Sequence, residues 1–170
     1  TTTPIPTVTK APEATKAPEV TKAPEVTEEP EEFVALKDAA AKCGFSFGTV
    51  VNAYSGRDLN YTMMVMDDFN SVTAANEMKA YSMLIQKLSQ TSPDGMPVID
   101  FSQADAIVSR AELLGIGVRG HVLVWDAYMS DWFFREGYKN DGAYVDRDTM
   151  LKRVEYYIDE VMTHFEEKYP

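Results

Sequence analysis

Polar side chains capable of binding a hydroxyl-rich ligand follow an apolar, β-prone segment at residues 69–73. Asn76, Glu77 and Lys79 place hydrogen-bond donors and acceptors side by side just beyond this segment. Three such groups at the end of a buried strand can form a hydrogen-bonding fork. The same residues also fit a helix N-terminus, with Asn76 as the cap and Glu77 in the first turn. The local sequence leaves both interpretations open.

A second apolar segment, residues 118–125, contains His121 and ends at Trp125. The histidine is either a hydrogen-bonded core residue or a ligand contact, and the indole either packs under a sugar ring or covers the core. His121 and Asp126 can also be considered as metal ligands, but no third ligand follows at a suitable spacing, so we predict no metal site. The aromatic run at residues 132–134 is either a ligand platform or a buried loop anchor. The sequence contains no phosphate loop, serine elbow or cysteine–histidine pair.

Alternating strands and helices must position these residues. Apolar spacing predicts helices over residues 33–43, 61–66, 78–88 and 102–114 and a last helix from about residue 148, with strands over 45–51, 69–73 and 116–125. Gly44 and Gly115 are predicted helix ends, and Ser102 is a predicted N-cap. Gly48 inside the first strand indicates close backbone approach. The alternation predicts an α/β fold with a parallel sheet, either a small open sheet or the opening portion of a larger barrel.

Two apolar positions of the last predicted helix, Leu151 and Met162, are assigned to its buried face together with its other apolar residues. Cys43 is the only cysteine of the chain, so an intrachain disulfide and cysteine-rich metal sites are excluded. Because it ends an apolar helix face, we predict that Cys43 is a buried small hydrophobe.

The first 32 residues differ in composition from the rest. They repeat a six-residue unit, TKAPEV and its variants, with a proline in every copy. Such a segment cannot bury enough apolar area to offset its ordering entropy, so we predict a disordered Thr/Pro/Glu-rich linker over residues 1–32 and a further module N-terminal to it. Residues 33–170 are long enough for one folded domain.

The formal net charge of −11 argues against nucleic acid and anionic membranes as partners. No apolar stretch approaches the roughly 20 residues of a membrane helix. No signal peptide is visible, and the threonine–proline linker favours a secreted or cell-surface protein.

Two motifs make the resemblance to a known family specific. Residues 69–79 (FNSVTAANEMK) and 119–125 (RGHVLVW) look like the second- and third-strand signatures of glycoside hydrolase family 10, the endo-1,4-β-xylanases. Further matches in the same order are FGT at 47–49, SDWFF at 130–134, HF at 164–165 and KYP at 168–170. The resemblance implies a (β/α)8 TIM barrel, of which about the first three βα units lie in residues 33–170. It implies hydrolysis of internal β-1,4 bonds of xylan with retention and without a cofactor.

Four residues match family positions that contact sugar. By resemblance, Asn76 and Lys79 hydrogen-bond xylose hydroxyls on the non-reducing side of the cleaved bond. His121 contacts the sugar at the cleavage point, and Trp125 lines that subsite. The expected partners are xylan and xylo-oligosaccharides.

The chain also departs from the family pattern. The family usually has Glu at Ala75, Trp at Ala80, His at Asp126 and Gln at Tyr128. Retaining glycosidases need two carboxylates roughly 5 Å apart. In the family these lie on the fourth and seventh strands, so we expect no catalytic residue in this chain and no activity of the isolated 170 residues. The alternative is a non-catalytic sugar-binding module derived from the same barrel.

Overall fold

Three parallel strands form the centre of the computed structural model, which describes residues 33–170; the linker predicted over residues 1–32 lies outside the described part. The strands pair in chain order, β1 (Gly48–Val51), β2 (Ser71–Ala74) and β3 (Gly117–Arg119). Ser71 lies opposite both Gly48 on β1 and Gly117 on β3. Helices connect consecutive strands, so the predicted α/β class with a parallel sheet is confirmed.

Six helices surround this sheet in the described residues. They are α1 (Leu36–Lys42), α2 (Leu59–Asp68), α3 (Ala80–Met83), α4 (Gln86–Ser89), α5 (Ser102–Leu113) and α6 (Arg147–Lys168). The carboxylates of Asp58 and Asp146 cap α2 and α6 by accepting two backbone N–H groups each. Gly44 and Gly115 follow α1 and α5 with φ of +79° and +65°, as the predicted helix ends require.

The predicted helix over residues 78–88 is wrong, because the chain forms two four-residue helices there. Leu84 and Ile85 between them are extended. Ile85 N–H donates to Val98 O at 2.9 Å, and Asp100 N–H donates to Met83 O at 2.8 Å. A helix cannot continue through this segment because its backbone pairs with residues 98–100.

Several other boundaries also differ from the prediction. The third strand ends at Arg119, six residues earlier than predicted, and its last ladder position pairs Arg119 with Thr73 of β2. Ser102 is the first residue of α5 rather than its N-cap. Asp100 takes the capping role, since its Oδ1 accepts the Ser102 N–H at 2.9 Å. This hydrogen bond lowers the pKa of Asp100.

The core lies between the sheet, α5 and α6. On one side, Val65 of α2 and Ala111 of α5 pack against Val72 of β2. The other cluster contains Ala74 of β2 and the fully buried Tyr157 of α6, together with residues of α5 and of the loop before α6. The apolar stripes of the helices therefore form the predicted layer against a parallel sheet.

Three burial predictions are wrong. Cys43 is exposed, as are Leu151 and Met162, at 47% and 54% of their surface. Leu151 and Met162 lie at the margin of the apolar stripe of α6, and Met162 lines an open groove beside β3. None of the helices in residues 33–170 has the length and apolarity needed to cross a bilayer.

Candidate functional site

Asn76 and Lys79 lie in a turn immediately after β2. Lys79 N–H donates to Asn76 O at 2.9 Å, and this turn brings the two side chains together. Lys79 Nζ donates to Asn76 Oδ1 at 3.0 Å. The helix that follows begins only at Ala80, so the interpretation of Asn76 as a helix cap is wrong. The two polar side chains instead form a pair at the carboxyl end of the strand.

Glu77 lies in the same turn but has a different role. Its Oε1 accepts the Ala53 N–H and its Oε2 accepts the Asn76 N–H, both at 3.0 Å. The side chain is buried, with 8% of its surface exposed. Because each oxygen already accepts a backbone N–H, Glu77 ties the segment after β1 to the turn after β2. The predicted three-residue fork therefore reduces to Asn76 and Lys79.

The aromatic side of the site follows β3. Trp125 precedes a 3-10 turn over Asp126–Tyr128, in which Tyr128 N–H donates to Trp125 O at 3.0 Å. This turn brings the Tyr128 ring to 4.6 Å from the Trp125 ring, centroid to centroid. The ring of the half-buried His121 also lies near Trp125, with ring centroids 6.1 Å apart. The rings of Trp125 and Tyr128 remain 40% and 38% exposed.

Lys79 joins the polar and aromatic halves of the site. Its Nζ lies 4.2 Å from the centroid of the Tyr128 ring and 5.6 Å from that of Trp125. Cations are attracted to aromatic faces at this range. The structure thus brings Asn76, Lys79 and Trp125 into one cluster, with His121 at its margin. Their role in sugar binding stays a prediction.

Tyr128 was identified from the sequence only as a departure from a family pattern. Its contact with Lys79 depends on the 3-10 turn after Trp125, for which the sequence carries no strong signal. The cluster combines a cation, an amide and half-exposed ring faces. Such a surface can donate hydrogen bonds to hydroxyl groups while packing against the apolar face of a pyranose.

The loop that follows is anchored by burial. Trp132 is 9% exposed and Phe133 is fully buried. The aromatic run at residues 132–134 is therefore a buried loop anchor and not a ligand platform. Arg153 of α6 holds this loop: its Nη1 donates to Phe133 O at 2.6 Å and to Arg135 O at 3.0 Å. Its guanidinium also lies 3.9 Å from the ring centroid of Tyr138. Burial raises the pKa of Tyr138.

A second charged cluster joins α5 to α6. Asp105 Oδ1 and Oδ2 lie 2.7 Å from His164 Nε2 and Lys168 Nζ, respectively. Partial burial acts to raise the pKa of Asp105, but the hydrogen bonds from Lys168 and His164 outweigh it and lower the pKa. Within residues 33–170 no group of three or more His, Cys, Asp and Glu side chains is arranged to hold a metal ion.

An α/β scaffold with a polar and aromatic cluster at its strand ends is the arrangement of barrel enzymes that bind their ligands at this edge. The profile of glycosyl hydrolase family 10 matches residues 35–169. The chain belongs to this family.

Curated relatives with matching sequences are endo-1,4-beta-xylanases. The chain is 35% identical to the bifunctional endo-1,4-beta-xylanase XylA of Ruminococcus flavefaciens, over 80% of this chain and 14% of the relative. It is 34% identical to endo-1,4-beta-xylanase A of Butyrivibrio fibrisolvens, over 74% of this chain and 34% of the relative. It is 30% identical to endo-1,4-beta-xylanase Y of Acetivibrio thermocellus, over 79% of this chain and 12% of the relative. The chain thus spans about a third or less of these relatives.

Solved structures with a similar fold include the Clostridium thermocellum N-terminal endo-1,4-beta-D-xylanase 10B, whose CBM22-1 and family 10 modules were solved with xylohexaose. The TM-score is 0.73 at 30% identity, covering 80% of this chain and 26% of that one. For the intracellular xylanase of Thermoanaerobacterium saccharolyticum the TM-score is 0.65 at 28% identity, covering 80% of this chain and 39% of that one. The three strands described here are thus part of a family 10 TIM barrel, as predicted.

Proposed function

We propose that residues 33–170 form the non-reducing-side sugar-binding wall of an endo-1,4-β-xylanase catalytic domain. The observation that carries this proposal is the nearly buried Lys79, whose ammonium is paired with Asn76 and lies beside the half-exposed Trp125. The ammonium and amide can donate to xylose hydroxyls while the ring face packs against the sugar. The related xylanase solved with xylohexaose supports a xylan-type ligand.

The proposed reaction is retaining hydrolysis of internal β-1,4-xylosidic bonds. This chemistry requires an acid/base and a nucleophilic carboxylate roughly 5 Å apart. Glu77 directly follows Asn76 in the sequence, and both of its oxygens are engaged by backbone N–H groups. We therefore propose that both catalytic glutamates lie outside these 170 residues. Asn76, Lys79, His121 and Trp125 hold the substrate and do not cleave it.

Release of reducing sugar from xylan tests this proposal. We expect turnover by the full-length protein that contains this chain, and no turnover above background by the 170 residues alone. Activity of the isolated chain would contradict the assignment of catalysis to residues outside it.

Lys79→Met in the full-length protein tests the binding role. A lost hydrogen bond from a charged donor costs about 1.5–3 kcal/mol, so we expect KM for xylohexaose to rise about tenfold to a hundredfold. Lys87→Met is the matched control, because Lys87 is exposed on α4. Equal KM values for the two variants would refute the role of Lys79.

A non-catalytic sugar-binding module is the second candidate, and the engagement of Glu77 by backbone groups favours it as much as the first. It predicts that the full-length protein binds xylohexaose without releasing reducing sugar. It also predicts that Asn76→Ala or Lys79→Met abolishes this affinity. Titration calorimetry beside the turnover assay separates the two functions, because only the xylanase both binds and cleaves.

We also propose that the protein is secreted or displayed at the cell surface and carries another module before the linker. The repeats of residues 1–32 support both proposals, since Pro-rich segments of this composition act as extended spacers between modules. Immunodetection in culture supernatant and cell fractions tests the location; a protein retained inside the cell would contradict it. The reading frame upstream of residue 1 tests whether a further module precedes the linker.

A further inference from the structure

The Lys79 side chain is largely buried, but its ammonium has no carboxylate within ion-pair distance among residues 33–170. The residue is only 8% exposed. Its one side-chain hydrogen-bond acceptor in that part of the chain is Asn76 Oδ1. Burial of a cation is unfavourable unless other groups compensate. The remaining compensation comes from aromatic rings, and Tyr128 provides the closer one, at 4.2 Å against 5.6 Å for Trp125.

We propose that Tyr128 is a positioning residue for Lys79. Its ring face holds the ammonium against Asn76 and so directs the remaining N–H donors of Lys79 towards a sugar hydroxyl. The inference deepens the proposed function and rests on it, because the positioned group is the predicted xylose contact.

The Tyr128 ring is itself fixed on two sides. The Trp125 ring lies 4.6 Å away and the Tyr81 ring 5.4 Å away, both tilted against it. The backbone is held by the hydrogen bond from Tyr128 N–H to Trp125 O. The Tyr128 hydroxyl has no hydrogen-bond partner within the described residues, so the ring rather than the hydroxyl carries the role. Tyr128→Phe should therefore preserve the positioning of Lys79, whereas Tyr128→Leu should abolish it.

Kinetics of the full-length protein on xylohexaose test this role. Loss of this partly buried cation–π contact should raise KM about fivefold to tenfold in Tyr128→Leu, with kcat little changed. Tyr128→Phe should keep KM within about twofold, which also shows that the fold tolerates substitution at this site. Tyr144→Leu is the matched control, because Arg135 lies 4.3 Å from the Tyr144 ring in the loop before α6. Its KM should be unchanged.

A double-variant cycle with Lys79→Met separates positioning from direct sugar contact. If Tyr128 acts through Lys79, Tyr128→Leu has no further effect on KM in the Lys79→Met background. If Tyr128 touches the sugar independently, the two effects multiply, and this result overturns the inference.

A measurement without sugar keeps the inference distinct from the proposed function. The ε-methylene protons of Lys79 should show an upfield ring-current shift by NMR in the wild type and in Tyr128→Phe, and lose it in Tyr128→Leu. A wild type that has this shift but no affinity for xylohexaose overturns the proposed function and the sugar role of Tyr128 with it. A wild type that binds xylohexaose, with KM unchanged in Tyr128→Leu, overturns the inference alone.

Discussion

Replacing Asp105 with asparagine should loosen the C-terminal end of α6 from α5. The Asp105 carboxylate accepts hydrogen bonds from His164 Nε2 and Lys168 Nζ, both at 2.7 Å, and the Tyr169 hydroxyl lies 3.2 Å from its Oδ1. Its side chain is 18% exposed. Asparagine keeps one acceptor oxygen and the shape of the side chain but loses the charge. The substitution therefore isolates the charge-assisted part of the contact.

The expected cost follows from the exposure of the two partners. A hydrogen bond to a charged group contributes about 1.5–3 kcal/mol, and the partly buried His164 should lie in this range. The Lys168 side chain is 49% exposed, so solvent screens its interaction and it adds little to the loss. Because asparagine retains part of the first contact, we expect Asp105→Asn to lower the free energy of unfolding by about 2 kcal/mol.

Urea denaturation of the full-length protein measures this loss, with Asp159→Asn as control on the exposed face of α6. The lowered pKa of Asp105 means that its stabilisation is fully present above about pH 4 and is lost as the pH falls through the lower folded-state pKa. The difference between wild type and Asp105→Asn should shrink as the pH falls below about 4. Equal stability of the two variants at neutral pH, or a difference that grows below about pH 4, would refute the reasoning.

Three further substitutions test the packing by denaturation. A Cβ on Gly48 would lie 2.3 Å from Ser71 Oγ, so Gly48→Ala should lower the free energy of unfolding by about 1–3 kcal/mol. Ser71→Ala should suppress part of that loss, and additive losses in the double variant would contradict the contact. Arg153→Met should lower the free energy of unfolding by about 1–3 kcal/mol, because it leaves Phe133 O without a donor and removes one of the two donors to Arg135 O. A neutral result would contradict the dependence of Phe133 O on Arg153. The Tyr157 hydroxyl is buried without a hydrogen-bond partner among the described residues, so Tyr157→Phe should raise the free energy of unfolding by up to about 1 kcal/mol. A loss of stability would instead show that the hydroxyl has a partner.

The parts of the fold that local sequence determines could be predicted. Gly44 and Gly115 end their helices because a left-handed residue stops the helix wherever it stands. The end of β3 at Arg119 could not be predicted, because its ladder partner Thr73 lies more than 40 residues earlier in the sequence. The break between α3 and α4 likewise depends on pairing with residues 98–100.

The same division applies to the site. Asn76 and Lys79 were identifiable because polar residues directly after a buried strand gather at one edge of a parallel sheet. The contact between Glu77 and Ala53 was not, because it joins two segments through a specific loop conformation. The cation–π contact with Tyr128 was not predicted either, because ring orientation depends on a 3-10 turn that the sequence signals only weakly.

The strand order of the sheet has a consequence for how the protein is made. Because each strand pairs with the one before it in the chain, the sheet can grow one βα unit at a time as the polypeptide leaves the ribosome. At every stage the newest strand is the growing edge, and it must stay unpaired until the next unit emerges. Among the described strands the newest is β3, and the groove lined by Val118, Leu123 and Met162 lies beside it. Synthesis rate and chaperone protection of this groove should therefore influence how much native protein a cell recovers.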